Sequence, residues 1–360
     1  MTNLRKYIFR FFISALSIFF ALLFIEVSVR ILGRAGIISI PPPGIPIFSN
    51  LPRGCVDSKS EPYRLVPGFR GTMISPRGDF IAGFSINDSG YRGVLSSLEN
   101  KPRIALYGCS FTFGEGVLDT ETIAARLEEM MRTLPEYKSA AVMNMGVSGY
   151  SAKQMKELAD CSISELKPDT IIFVIPSAGM WRLSAPFKVF SGHIFFANVY
   201  PGLVEYNGII CHSNYSGLLK KIHVFLQVHS SLFRYSRNKN IFAFFRKKTD
   251  SVAANGEQIS KRIFTRDTQS QSLLLDVMKE MLAMESDTLN VRILLFGPNY
   301  ELLNEAIEKP PFLGKILYVP FSEDTPDTEY SFPRDGHWNA QGHKKMAEIL
   351  FKTLFRKNVN

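Results

Sequence analysis

From Lys101 onward, short uninterrupted apolar runs alternate with stretches of helical periodicity, and that alternation leaves few architectures open. The runs are Ile104 to Tyr107, Ala140 to Asn144, Thr170 to Ile175, Val291 to Phe296 and Ile316 to Val319. Strands that are apolar on both faces must be covered on both, which crossover helices do in a parallel sheet. Asp119 is placed to cap a helix through Met131, with Ile123, Leu127 and Met130 on one face. Ser151 and Gln154 form a capping box for a helix carrying Ala152, Met155, Leu158 and Ala159, stopped at Pro168-Asp169. A helix of about Ser270 to Met284 precedes the fourth run. Asn339 caps a last helix with Met346, Ala347, Leu350, Phe351 and Leu354 inward. The expected fold class is α/β: a doubly wound, flavodoxin-like parallel sheet with helices on both faces.

Functional groups in such sheets gather at the carboxyl ends of the strands, where Ser110, Gly146 and Ser177 fall. The stretch Pro102 to Val117 is a strand that breaks at Gly108 and presents Ser110 in a turn closed by Gly114 and Gly116. The strand fixes the hydroxyl, and the glycines let the backbone bend tightly and bring N–H groups toward a substrate. An ordinary strand–loop–helix connection is the competing reading. A nucleophilic serine needs a base, and the base needs a group that holds its tautomer. Of His193, His212, His223, His229, His337 and His343, only His337 lies in a compact polar cluster, Arg334-Asp335-Gly336-His337-Trp338-Asn339. Asp335 is near enough to orient that imidazole, while an incidental turn and helix entry is the alternative. His343, on the helix that follows, is expected to be structural. Cys55, Cys109, Cys161 and Cys211 lack the paired spacings of a zinc site or redox dithiol, and Cys109 is expected to pack beside the serine. No metal or cofactor is expected: Gly114-Glu115-Gly116 lacks the third glycine of a dinucleotide fingerprint.

Three segments resemble blocks of the SGNH (GDSL) hydrolases, in the family's order: Gly108-Cys-Ser110-Phe-Thr-Phe-Gly, Asn144-Met-Gly146-Val-Ser-Gly-Tyr and Asp335-Gly-His337-Trp-Asn-Ala-Gln-Gly342-His343. Membrane-anchored bacterial members add a span ending in a Glu…Arg pair (Glu26 and Arg30 here), a Pro-Tyr-Arg stretch (Pro62 to Arg64) and an Asn-x-x-Gly-Tyr-Arg element (Asn87 to Arg92). The likeness spans most of the chain outside about Leu183 to Gln269. It implies an SGNH-type fold with Ser110 as nucleophile, His337 as base, Asp335 as its partner, and the amides of Ser110 and Gly146 as oxyanion donors. The chain departs from the pattern in three places. Pro176-Ser-Ala-Gly-Met-Trp-Arg182 lacks the third block's Asn, which leaves the Ser177 hydroxyl as a substitute donor. Cys109 stands where the family has Asp, and Asp-x-His replaces Asp-x-x-His. The activity implied is esterase, acyl hydrolase or acetyl transferase chemistry through an acyl-enzyme, on an envelope glycan or lipid ester. The alternative is a weak or inactive relative that binds a glycan or protein partner.

The amino terminus carries Arg5, Lys6 and Arg10, then an uncharged, mostly apolar run from Phe11 to Ile25. Glu26 and Arg30 sit at i,i+4 and can pair, and apolar residues continue to Leu32, about enough to span a bilayer. A removed leader is the competing reading, with Gly33-Arg34-Ala35 a poor cleavage site. Basic residues before the run place the amino terminus in the cytoplasm. The expectation is a single-pass protein of a bacterial inner membrane with its catalytic domain outside the cytoplasm. Residues 1–34 would be the cytoplasmic end and span, 35–60 a Pro-rich linker around Pro41 to Pro46, and 61–100 a β-rich lead-in. Residues 101–360 would be the main domain, with a basic-aromatic insertion at about 183–269.

The net charge of +9 is concentrated. No acidic residue occurs between Glu205 and Asp250, where Lys220, Lys221, Arg234, Arg237, Lys239, Arg246, Lys247 and Lys248 alternate with apolar and aromatic residues. Beside a membrane such a segment, 218–248, suits anionic head groups, with a solvated insertion as the other reading. Nucleic acid is not an expected partner outside the cytoplasm.

Overall fold

A computed structural model describes residues 2–38, 40, 51–52, 55–57, 62–75, 78–94, 99, 101–177, 183, 187–190, 193–196, 203–207, 209–213, 215–238, 268–297, 301–320 and 329–356. The proline-rich spacer Pro41 to Pro46, residues Ala178 to Arg182 and the basic run Arg246 to Lys248 lie outside the described residues. The chain forms two compact units: Met1–Pro46 with Val199–Asn255, and Ile47–Asn198 with Gly256–Asn360.

The larger unit is built on one parallel sheet. Its strands are β1 (Arg103–Gly108), β2 (Ala141–Gly146), β3 (Thr170–Pro176), β4 (Asn290–Gly297) and β5 (Ile316–Pro320). The spatial order is β5-β4-β3-β1-β2 with every pairing parallel. The order reverses between β1 and β3, the place where a doubly wound sheet opens a crevice beyond its carboxyl ends. Every residue of β1 and β2 is buried, which explains their uninterrupted apolar reading. On one face Ile104, Leu106, Val142, Ile172, Val174, Leu294 and Phe296 pack under helices α1 (Ile123–Met131) and α5 (Ala340–Leu350). On the other, Tyr107 lies against Phe173 and hydrogen-bonds Ser162 of α2 (Ala152–Leu166), which packs on α3 (Thr268–Leu282). Helix α4 (Glu301–Ile307) follows β4.

The Ser151–Gln154 capping box is present on α2, and Asn339 caps α5 through Gln341 and Gly342. One boundary differs from the expectation. Asp119 opens a single 3-10 turn, and Thr122 caps α1 by accepting from the Ala125 N–H at 3.3 Å. The Asp119 carboxylate is drawn elsewhere, accepting from Ser85 N and Oγ and from Arg92 Nε. Before β1, strands Arg70–Ile74 and Ile81–Ser85 form an antiparallel hairpin, and Arg92 bridges to Asn144 of β2. Tyr63 donates to the Ser148 carbonyl at 2.7 Å and Phe84 meets Phe113 edge-on. The lead-in is therefore packed on the carboxyl end of the sheet.

His343 of α5 is buried, and its Nδ1 accepts from the Ile123 N–H at 3.1 Å. That bond uses the lone pair of the neutral ring. Burial pushes the imidazole down to about 3, with the Arg92 charge acting in the same direction. An unfolded chain binds this proton near 6.5, so stability is lost as pH falls from about 6.5 toward about 3. The melting temperature of the detergent-solubilised chain should drop between about pH 7 and about pH 5, and His343→Gln should shrink that drop. An equal drop in both proteins would contradict the buried neutral ring.

Candidate active site

Strand β1 ends at Gly108, Cys109 is extended (φ −98°, ψ −152°), and Ser110–Phe113 make one helical turn closed by Gly114 at φ 89°. The Ser110 carbonyl accepts from the N–H groups of Gly114 at 2.8 Å and Glu115 at 3.1 Å. The turn sits tightly on the sheet end. A Cβ at Gly108 would lie 1.8 Å from Thr112 Oγ1, and one at Gly146 would lie 2.2 Å from the Phe113 nitrogen. Gly108 and Gly146 are register partners across β1 and β2. Two adjacent positions without side chains thus make room for the serine turn.

The resemblance implies the Gly146 amide as an oxyanion donor. In the structure that N–H donates to Asn144 Oδ1 at 3.1 Å, and Asn144 Nδ2 donates to the Phe113 carbonyl at 3.4 Å. The identity of residue 146 follows from the clearance its missing side chain gives the turn.

The histidine reaches the serine from the opposite end of the chain. Ser331 and Trp338 form an antiparallel bridge, the Phe332 N–H donates to the His337 carbonyl at 2.8 Å, and Gly336 turns the chain at φ 89°. This hairpin-like loop brings His337 Nε2 to 2.7 Å from Ser110 Oγ. On the other side of the ring, Nδ1 is hydrogen-bonded to Asp335 Oδ1, which also accepts from the His337 backbone N–H at 3.4 Å. An ionised carboxylate only accepts, so the proton is assigned to Nδ1, and Nε2 is left to accept from the serine hydroxyl. Phe111 packs on the imidazole with centroids 4.9 Å apart and also meets Trp338 and Phe296, so a rigid aromatic cluster holds the ring. Ser110 is 5% exposed, and the His337 side chain is 20% exposed.

Ser177 is fully buried just past the end of β3, and the residues after it lie outside the described ones. Cys109, next to the serine in the chain, is buried and forms no disulfide. A residue to which sequence reasoning gave no role in the site is Arg92, whose side chain is 0% exposed. Its Nη1 donates to the carbonyls of Phe113 and Gly114, its Nη2 to that of Val117 at 2.6 Å, and its Nε to Asp119 at 2.9 Å. Its guanidinium also lies 4.7 Å from the centre of the Phe113 ring. The available signal was the Asn87-to-Arg92 element itself, whose arginine follows a turn in which Asn87 Oδ1 accepts from Ser89 N and Tyr91 N. Ser148 Oγ donates to the buried Glu115 carboxylate, tying the loop after β2 to the same turn.

No family model and no curated protein matches the chain. Solved structures that align with it include a protein described as lipolytic and of the G-D-S-L family from Desulfitobacterium hafniense. It is 11% identical, with a TM-score of 0.35, over 71% of this chain and 100% of that one. An acetylxylan esterase from Geobacillus stearothermophilus is 12% identical, with a TM-score of 0.34, over 71% of this chain and 95% of that one. An α/β hydrolase from the metagenome of Lake Arreo is 11% identical, with a TM-score of 0.35, over 71% and 95% of the two chains.

Gly146→Ala tests the seat of the serine turn. The added methyl must displace the Phe113 backbone, at an expected cost of about 1–3 kcal/mol. Both thermal stability and the rate of fluorophosphonate capture should fall. Alanine keeps the N–H, so a variant unchanged in both would mean that the amide alone matters at this position.

Proposed function

We propose that the chain is a serine esterase or acyl transferase that works through an acyl-enzyme on Ser110. The observation that carries this reading is the continuous hydrogen-bonded line from Ser110 Oγ through the His337 ring to Asp335. In this reading the serine oxygen attacks an ester carbonyl while its proton passes to His337 Nε2. Asp335 keeps the Nδ1 proton in place and stabilises the imidazolium. The proton then moves from Nε2 to the departing alcohol, and the acyl group stays on Ser110. Water or a sugar hydroxyl takes the acyl group in the second half, with His337 again the base, which gives hydrolysis or transfer respectively.

The alkoxide of the tetrahedral intermediate needs donors, each worth a few kcal/mol. We assign them to the Ser110 amide and the Ser177 hydroxyl. The Gly146 amide serves only where it leaves Asn144 Oδ1, its partner in the resting site. We place the enzyme on a bacterial inner membrane, anchored by the N-terminal helix, with the site outside the cytoplasm. The substrate class this suggests is an acyl ester of an envelope glycan or lipid.

Purified full-length chain should be labelled by a serine-reactive fluorophosphonate and should hydrolyse an aryl acetate. Ser110→Ala should abolish labelling, and Ser110→Ala or His337→Gln should each lower hydrolysis by at least about a thousand-fold. Labelling that survives in Ser110→Ala, or its absence with no hydrolysis in the parent chain, would refute the assignment.

A further inference from the structure

The smaller unit contains a charged arrangement that the esterase chemistry does not use. Its N-terminal helix runs Thr2–Arg34, and the part Arg5–Arg34 is long and apolar enough to cross a bilayer. Two further helices, Gly217–His229 and Ser231–Asn238, meet at a corner where Ser230 is extended (φ −100°, ψ 115°). Glu26 and Arg30 of the first helix hold that corner. Glu26 Oε1 accepts from Arg30 Nε at 2.7 Å and from the Ser231 N–H at 2.8 Å. Its Oε2 accepts from the Leu232 N–H at 3.0 Å and Ser230 Oγ at 2.8 Å. Arg30 Nη2 donates to the His229 carbonyl at 2.6 Å.

The carboxylate therefore meets the amino end of one helix and the guanidinium meets the carboxyl end of the other. These ends leave N–H and C=O groups without intrahelical partners, and their partial charges are opposite to those presented here. A charge pair needed only to neutralise a membrane helix has no reason to bind both ends of a separate corner.

The position of this pair along the helix gives its depth. A hydrocarbon core of about 30 Å takes roughly 20 residues at about 1.5 Å each. Counted from Phe11, the first residue after the basic cluster, that length ends near Arg30. The pair then sits at the far edge of the apolar layer. The helix it holds is amphipathic in an unusual sense. Val224 and Gln227 are buried within the unit, while Leu218, Ile222 and Phe225 form a stripe at i, i+4 and i+7 that is 72%, 47% and 51% exposed. Lys221, exposed, lies beside it, while Lys220 shares the side of Val224 and Gln227. Phe225 is four residues before His229, so the stripe begins within roughly 6 Å of the latched end.

We infer that the N-terminal helix is retained as an anchor, and that Glu26 and Arg30 latch the corner at His229–Ser231 to it. The latch lays the Leu218–Ile222–Phe225 stripe into the lipid interface at the carboxyl end of the span. The occupant is a bilayer because the latch joins this face to the helix that, among the described residues, is long and apolar enough to cross it. The exposed Lys221 beside the stripe suits anionic head groups. A leader removed after export would carry away the carboxylate that caps helix Ser231–Asn238. The inference rests on the membrane half of the proposed function and is independent of the ester chemistry.

The test uses the full chain expressed in bacteria and reconstituted in nanodiscs of neutral or anionic lipid. Mass spectrometry should find the N-terminal helix still attached, and its loss would end the anchor assignment. Phe225→Trp should add fluorescence that brominated lipid quenches, more in anionic than in neutral discs. If that added fluorescence is unquenched, another protein or a second copy covers the stripe and the lipid assignment falls. Glu26→Leu should speed amide exchange at Ser231 and Leu232 by about 5- to 30-fold, the size of a lost helix cap, and reduce the quenching. Glu26→Arg combined with Arg30→Glu keeps an i,i+4 pair but turns each charge toward the wrong helix end. It should exchange like Glu26→Leu. Parent-like exchange in either variant overturns the latch, and ester hydrolysis measured in the same discs reports separately on the catalytic reading.

Discussion

The serine turn is held by a guanidinium that touches no solvent. Arg92 contributes a planar fork of donors, and the chain surrounds it with matching acceptors: the carbonyls of Phe113, Gly114 and Val117 and the carboxylate of Asp119. Burial weakens its hold on its proton, and the Asp119 charge opposes that loss. A buried charge is tolerable only when its hydrogen-bonding capacity is filled, and lysine's single ammonium could not span these separated acceptors. The Arg92 backbone N–H in turn donates to the Asn144 carbonyl of β2. The serine turn is thereby fixed from below by the glycines of two strands and from the side by the segment that precedes the sheet. The lead-in packs against this end of the sheet through Tyr63 and Phe84.

Most of the fold was legible because it is written in short-range patterns. Buried strands read as apolar runs, and the Ser151–Gln154 box and the Asn339 cap are local chemistry that tertiary structure left alone. The first helix boundary was misplaced because Asp119, a good cap in isolation, is recruited by Ser85 and Arg92. Local propensity loses wherever a distant partner binds the same group more strongly. The candidate site divides along the same line. Ser110, Asp335 and His337 stand in compact motifs whose spacing limits what they can do, and the structure brings the three together. Arg92 acts on carbonyls more than twenty positions away; the Asn87-to-Arg92 element marks the arginine but not those partners. Gly146 was visible as a glycine, but its reason, the 2.2 Å approach to Phe113, is a property of two strands and a turn together.

The two units handle buried or half-buried charge by one physical rule. Arg92 faces carbonyl oxygens as much as it faces Asp119, and Glu26 faces amides and a hydroxyl as much as it faces Arg30. In both cases the counter-ion alone contributes little: a buried charge with one partner gains little over an apolar side chain, and the Arg30 side chain is 51% exposed. What justifies the charge is the backbone it organises, a tight serine turn in one unit and a helical corner in the other. An i,i+4 Glu–Arg pair in an apolar helix can be read from sequence as self-neutralising, and the pair is present. Self-neutralisation accounts for only one of the Glu26 contacts. The others run to residues about two hundred positions later, so the carboxylate is a structural partner for a distant backbone. The same logic explains why the basic excess of the later segment coexists with helices packed beside an apolar span. Lys221 lies beside the exposed apolar stripe, while the charges that meet the helix ends come from the N-terminal helix.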